Sequence, residues 1–527
     1  MSLRVVISLF CASAAILSAA EKEIYELGPP VPKSGEHLKP HERVDDLVFA
    51  RLAELKLQPA HLCSDAVFVR RAFLTVIGTL PTEQEARGFV AARQPDKRAQ
   101  LIEILLQRPE FVDFWSMKFG DLLRVKAEFP IKLWPNAVQA YHHFIHTAVR
   151  ENRPLHVLAR QLLLATGSNF REGEVNFYRA MQDRSPRGIA STVALTFMGE
   201  RADKWPKKKL DAMAGFFAQV AYKSTAEWKE EIVFFNPIAD KEGLTKQAIF
   251  PDGHAAAIKT GLEDPRAVFA EWLLRPDNAW FCKSWANRIW CWLMGRGIVH
   301  EPDDFRADNP PSNPALLAFL EKELAASKCD MRHLFRVILN SQAFQLSSIP
   351  VQDTPEAAAN FAHYPLRRLE AEVLIDALNQ ITGTHEEYSS PIPEPFTFIP
   401  ENVRSIALAD GSITSAFLEL FGRPPRDTGF EAERSRDTSP PQRLHMLNSS
   451  HVLNKIKKCP LISDVKNSDS VESIADKVYH TVLSRAPSAN ELATLKGHVA
   501  VTYDGGSTLA ADLVWALINQ PEFLFNH

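Results

Sequence analysis

Residues 75–85 read TVIGTLPTEQE, and residues 481–491 read TVLSRAPSANE. The two align without a gap. Each ends an apolar stretch, breaks at a proline (Pro81, Pro487), and continues with a hydroxyl residue (Thr82, Ser488) three places before a glutamate (Glu85, Glu491). Proline breaks a helix because it lacks an N–H. The Thr82 hydroxyl and Glu85 carboxylate can then satisfy the free N–H groups that open the next helix, forming a capping box. The pattern predicts helix, proline break, helix. Further out, residues 105–111 (LLQRPEF) match residues 517–523 (LINQPEF), and residues 337–344 carry a weaker copy of that ending. One helical hairpin unit is therefore expected near both ends of the chain. The repeat is far too widely spaced for a solenoid and concerns packing.

Helical spacing governs most of the remainder. Leu47, Phe49, Leu52 and Leu55 mark a first helix, and residues 68–77 and 98–107 mark two more. Thirty-five prolines against 22 glycines describe helices separated by stiff, proline-bounded loops. The pattern loosens over residues 221–261. There the short apolar runs 232–235 and 248–250 are bounded by Asn-Pro and by Pro251-Asp252-Gly253, which predicts a small β-hairpin. Residues 388–402, rich in Pro, Ser and Phe, are expected to form a long surface loop. The expected fold is mainly α, multi-helical and two-domain. It comprises a leader (21–43), an N-terminal helical domain (44–220), an irregular β linker (221–263) and a C-terminal helical domain (264–527).

Sixty Lys and Arg against 64 Asp and Glu give a net charge of −4 over 527 residues. This lacks the basic surplus that neutralises phosphates, so no nucleic-acid partner is expected, and the local KWPKKK run (204–209) reads as a solvated turn. The N-terminus has Arg4, an apolar run from Val5 to Leu17, then Ser18, Ala19 and Ala20. That order is a secretory signal with cleavage after Ala20, and the run is too short to span a bilayer. Cys11 sits within it behind the bulky Phe10, unlike a lipoprotein cysteine. The expected destination is the periplasm, the cell surface or the medium, without a membrane span. Cys63, Cys282, Cys291, Cys329 and Cys459 form neither a disulfide framework nor a C-x-x-C. Cys282 and Cys291 are nearest in sequence, but on one helix they stand too far apart to bridge. Buried free thiols are expected.

The second half contains Asp264-Pro265-Arg266, Trp272-Leu273, Pro276-Asp277-Asn278, Asn287-Arg288-Ile289-Trp290 and Gly295-Arg296-Gly297-Ile298-Val299. Pro302-Asp303-Asp304-Phe305-Arg306, Arg367-Arg368-Leu369-Glu370-Ala371-Glu372 and His445-Met446-Leu447-Asn448 follow. This half resembles the C-terminal domain of unknown function 1553 of planctomycete-type exported proteins. The first half resembles its partner, the cytochrome-c-associated domain of unknown function 1549. Relatives of this type carry a C-x-x-C-H segment shortly before an Ala-Ala-Phe-Phe helix. Here that stretch is Phe197-Met198-Gly199-Glu200-Arg201-Ala202-Asp203-Lys204-Trp205-Pro206, leading to Ala214-Gly215-Phe216-Phe217. Two thiols and a histidine are needed to attach and ligate haem c, and all three are missing. No haem c is expected at this position, and no other cofactor is predicted.

Several constellations remain. His142 and His146 stand at i, i+4 as a metal pair would, but no H-E-x-x-H pattern or third ligand accompanies them. They read as a histidine cluster. Asp303 and Asp304 are the candidate acid and base, or oxygen ligands for a hard cation; Arg306 invites a local ion pair instead. Five tryptophans (272, 280, 285, 290, 292) form either a glycan platform or, at helical spacing, core. Arg288, Arg306, Asn309, Arg367, Arg368, Glu370 and Arg434 are the binding candidates. They would form an anion site for sulfate, phosphate or uronate groups, or else a structural ion-pair network. Two functions follow. One is a helical scaffold or binding module for a glycan or another exported protein. The alternative is a polysaccharide hydrolase or lyase using Asp303, Asp304 and the arginines. Haem electron transfer is disfavoured.

Overall fold

The computed structural model describes residues 38–240, 243–259, 263–466, 469–502 and 506–527. The expected signal segment, Cys11 and most of the expected leader lie outside the described residues. The chain is mainly helical with a few short antiparallel strands.

The first repeat unit runs through α1 (Pro40–Glu54), α2 (Asp65–Val76), α3 (Glu83–Ala91), α4 (Lys97–Gln107) and α5 (Pro109–Leu122). Local chemistry sets the boundaries. The Ser64 hydroxyl accepts from the Val67 N–H at the start of α2. Thr82 and Glu85 form the expected capping box on α3: the Glu85 carboxylate accepts from the Thr82 N–H at 2.8 Å, and the Thr82 hydroxyl accepts from the Glu85 N–H at 3.2 Å. Next come α6 (Pro135–Arg150), α7 (Phe281–Met294), α8 (Pro314–Ala326), α9 (Met331–Leu339) and α10 (Ala371–Thr382). The second unit is α11 (Val471–Leu483), α12 (Ala489–Thr502), α13 (Gly506–Ile518) and α14 (Pro521–Leu524). Its capping box, between Ser488 and Glu491, repeats the first at 2.7 and 3.3 Å.

Both units also enclose a Glu–Arg–Glu triad, but the arginine comes from different places. Arg108, just ahead of α5, pairs with Glu85 at 2.6 Å and Glu110 at 2.7 Å. In the second unit Glu491 and Glu522 occupy the matching positions, and their arginine is Arg485, just past α11, at 2.8 and 2.6 Å. The units pack on each other: the Arg70 guanidinium on α2 donates to the Val482 and Phe523 carbonyls at 2.9 and 3.2 Å.

A hairpin forms near the expected boundary with a different partner strand. β2 (Val220–Ser224) pairs antiparallel with β3 (Glu231–Phe235), and β1 (Gly167–Ser168) adds to the other edge of β3. The Pro251-Asp252-Gly253 turn closes only a single bridge, Ile249 to Ala255. The actual turn contains Trp228 and Lys229, and Lys229 takes φ +65° without a glycine. A second small sheet joins β4 (Arg367–Arg368) to β5 (Phe525–Asn526).

The halves share one hydrophobic core. Trp115 on α5 meets Phe335 on α9 at 4.6 Å between ring centroids and Trp292 on α7 at 5.4 Å, while Phe119 stacks on Trp285 at 5.6 Å. Trp272, Trp285, Trp290 and Trp292 are buried, so the tryptophan run of the second half is packing. Cys63, Cys282, Cys291, Cys329 and Cys459 are free and buried. Cys282 faces Cys329, with the sulfurs 3.7 Å apart.

Candidate functional site: a buried charge network and an exposed aromatic cluster

Charged side chains gather where α5 meets α10 and the loop around Arg434. Arg434 donates to Glu372 and to Asp121, each at 2.6 Å. Burial lowers the Arg434 pKa, and the Asp121, Glu372 and Glu370 charges more than reverse this, holding it well above its ordinary value. Asp121 also accepts from Arg426 at 2.9 Å. Gly120 makes room for that contact, since a Cβ there would lie 3.1 Å from the Arg426 guanidinium. Glu370 receives Lys118, Arg436 at 3.0 Å and Arg434 at 3.4 Å. Burial pushes its carboxyl up, but Lys118 first and then the two arginines hold it well below the usual carboxylate range.

Arg367, Arg368 and Arg288 donate to neutral oxygens rather than to a carboxylate. Arg367 donates to the Trp292 and Leu293 carbonyls at 2.9 and 3.1 Å and to the Tyr364 hydroxyl at 2.9 Å. Arg368 donates to the carbonyls of Leu369, Phe421 and Ser435, and burial lowers its pKa to about 10. Arg288 donates to the Leu195 carbonyl at 3.2 Å beside the Trp285 ring.

Asp303 and Asp304 do not converge on an open cleft. Asp303 is fully buried; it accepts from Arg201 at 2.8 Å and from the Glu431 N–H at 3.0 Å. Asp304 pairs locally with Arg306 at 3.2 Å, and Asn309 donates to the Asp304 carbonyl at 2.9 Å. His142 and His146 lie side by side on α6, and His146 Nε2 is 3.3 Å from the Asp113 carboxylate. Among the described residues no group of three or more His, Cys, Asp or Glu side chains could hold a metal ion.

The stretch from Phe197 to Pro206 is filled by charge and aromatic rings. Glu200 accepts from the indole N–H of Trp205 at 2.8 Å and from that of Trp280. Arg201 reaches across to Asp303. Gly199 lies at φ +67° against Phe305, where an added Cβ would come within 2.9 Å of the ring.

A second feature lies on the surface. Trp134, Trp228 and Phe396 come from three separate loops, with centroids 4.6 Å apart for the two tryptophans and 5.9 Å from each to Phe396. Trp228 and Phe396 are more than half exposed. Lys229 reaches over both indoles at 5.5–5.6 Å. Trp134 is held at φ +75°, a conformation unusual for a bulky aromatic residue.

Sequence reasoning missed Lys118, Asp121, Glu372, Arg426 and Arg436. Lys118 and Asp121 did carry a signal, as charges in the otherwise apolar helix FWSMKFGDL. The aromatic cluster carried none, because its members are isolated residues in distant loops.

Residues 43–222 match the family described as PSCyt2, a protein of unknown function (DUF1549), and residues 265–499 match PSD1, a protein of unknown function (DUF1553). The chain belongs to the PSCyt2–PSD1 two-domain family. No curated protein and no solved structure matches it. In this PSCyt2–PSD1 chain the charge network straddles the two matched regions: Lys118 and Asp121 fall in the first, and Glu370, Glu372, Arg426, Arg434 and Arg436 in the second. No helix among the described residues is long and apolar enough to cross a membrane.

Proposed function

We propose that this protein is an exported, non-catalytic binding module that grips a glycan on the Trp134–Trp228–Phe396 cluster. The observation carrying this reading is the cluster itself: three aromatic side chains assembled on the surface, with a lysine between the two indoles. The C–H face of a sugar packs on an aromatic face, and the nearby ammonium favours a sugar bearing a carboxylate or sulfate. A stable protein interface buries about 800 Å² per partner, well beyond three side chains, whereas a short run of sugar rings fits them. The strained backbone at Trp134 supports the reading, because such strain persists where surrounding structure holds a side chain for use. The charged candidates of the second half favour binding over hydrolysis. They are engaged in ion pairs or with neutral oxygens, and the cavity beside them is only about 30 Å³, against roughly 300 Å³ or more for an ordinary ligand pocket.

Affinity electrophoresis through gels containing neutral and acidic polysaccharides tests this. Acidic polysaccharide should retard the protein, and Trp228→Ala with Phe396→Ala should weaken binding by about tenfold or more. Equal retardation of the double variant, or no retardation in any gel, would sink the proposal. The same reading has no haem at the family position, where Glu200 and Arg201 stand. A Soret band in protein purified from its own host would overturn that part.

A further inference from the structure

Arg367 and Arg368 are buried or half-buried cations without an acid. Every bond described above for either guanidinium runs to a neutral carbonyl or hydroxyl oxygen, and among the described residues neither forms an ion pair. Both line the same small cavity between the halves, together with Lys118, Arg436 and Glu370. Lys118 and Arg436 share the Glu370 carboxylate, and Arg434 draws on it as well. Glu431, 3.7 Å from Arg436, is the next acid. Four cations therefore surround a space with one carboxylate in its lining. The Nε of Arg368 and the Nε of Arg436 are buried without a hydrogen-bond partner, and Arg368 is only 4 % exposed. Burying a cation away from water without a directly paired counter-charge is costly, and at Arg368 the Glu370 and Asp437 charges offset that only in part, so its pKa stays below the ordinary value.

We propose that this cavity binds a small monovalent anion, a halide or a carboxylate head group, between Lys118, Arg367, Arg368 and Arg436. Charge selects the sign, because the excess is positive even with Glu370 ionised. Size selects the ligand: a cavity of about 30 Å³ has room for only a few small atoms, which suits chloride or the head of a carboxylate and shuts out a sugar ring. The free Nε–H groups would supply the donors. The lining comes from α5 on one side and from β4 and the Arg436 loop on the other, so the anion would tie the two halves together. This site shares no residue with the aromatic cluster, and either proposal can fail without the other.

The test is thermal unfolding of the full chain in sodium chloride, in sodium formate, and in the sodium salt of a bulky sulfonate at matched ionic strength. Chloride should give a rise that grows with the logarithm of its concentration and reaches about 2–3 °C once it exceeds its Kd a hundredfold. Formate giving the same rise would mark a site open to carboxylates, and chloride alone a halide site. Arg368→Gln should abolish the rise while Arg306→Gln, outside the cavity, keeps it. Identical melting in all three salts would overturn the proposal. If Arg368→Gln does not fold, crystals of the unaltered protein grown in bromide decide the matter. An anomalous peak between Arg367, Arg368 and Arg436 supports the site, and none there rejects it.

Discussion

Arg434 donates twice to Glu372 in its own half, at 2.6 and 3.1 Å, and reaches across to Asp121 of the first half at 2.6 Å. Glu372 is fully buried, so removing the arginine leaves a carboxylate with little beyond Arg423 at 3.5 Å. Arg434→Met should cost about 3–5 kcal/mol in denaturant unfolding, and adding Glu372→Met should restore a good part of it, because an apolar pair carries no desolvation cost. A second expectation concerns Cys282 and Cys329. Their sulfurs must close from 3.7 Å to about 2.0 Å to bond, a side-chain adjustment. With oxidised glutathione the two thiols should couple, releasing two glutathione thiols and adding about 4 kcal/mol by closing the loop between them. Thiol titration in denaturant, with and without that treatment, should differ by two. An unchanged count would refute the pairing. Acid is the third lever. Burial, then the neighbouring His146 charge, pushes His142 down to about 3. The unfolded chain takes up that proton near pH 6.5 while the folded chain refuses it. Stability is thus present above pH 6.5 and lost as pH falls towards 3. His142→Leu should lose less stability than the unaltered protein between pH 7 and pH 4, read as the change in guanidinium midpoint.

The helical hairpin unit was legible from its own residues, since proline, hydroxyl and glutamate at fixed offsets specify a break and a cap without reference to the rest of the chain. Thr82→Ala and Ser488→Ala should each cost about 1 kcal/mol, and comparable losses in thermal unfolding would show that the two boxes do the same work in both copies. The triads behind the boxes were not legible. Arg108 and Arg485 occupy non-equivalent positions, and only packing brings each to its pair of glutamates. The β-hairpin lies in the region the sequence indicates but on another turn, because Pro251-Asp252-Gly253 carries turn chemistry whereas the turn at Trp228-Lys229 carries none. The candidate arginines are recognisable as charges among apolar residues, although only Arg288 stands on a helix, with Arg367 and Arg368 on β4 and Arg434 in a loop. Their partners are not, because Asp121 and Arg426 lie far apart in sequence and meet only once α5 has docked.

At the scale of the molecule, the two family regions behave as one body. Trp115 packs on Trp292, Asp121 binds Arg426 and Arg434, and the C-terminal strand β5 pairs with β4 while Asn526 donates to Thr75 at 2.9 Å. Equilibrium unfolding should therefore show one transition, with tryptophan fluorescence and far-ultraviolet circular dichroism coinciding; two separated transitions would mark independent halves. Deleting residues 523–527 removes carbonyl acceptors from both Arg70 and Arg71 along with the buried Phe523 ring. A loss of several kcal/mol is expected, together with dye-binding surface in the first half. The threading of these residues against Arg70 and Arg71 also bears on timing. During synthesis, α2 is made long before the strand that completes its surroundings. Lacking those acceptors, the first half is expected to be less stable as it emerges from the ribosome than an ordinary tandem domain. Ribosome-bound nascent chains stalled short of residue 523 should therefore be more protease-sensitive in the first half than the released protein.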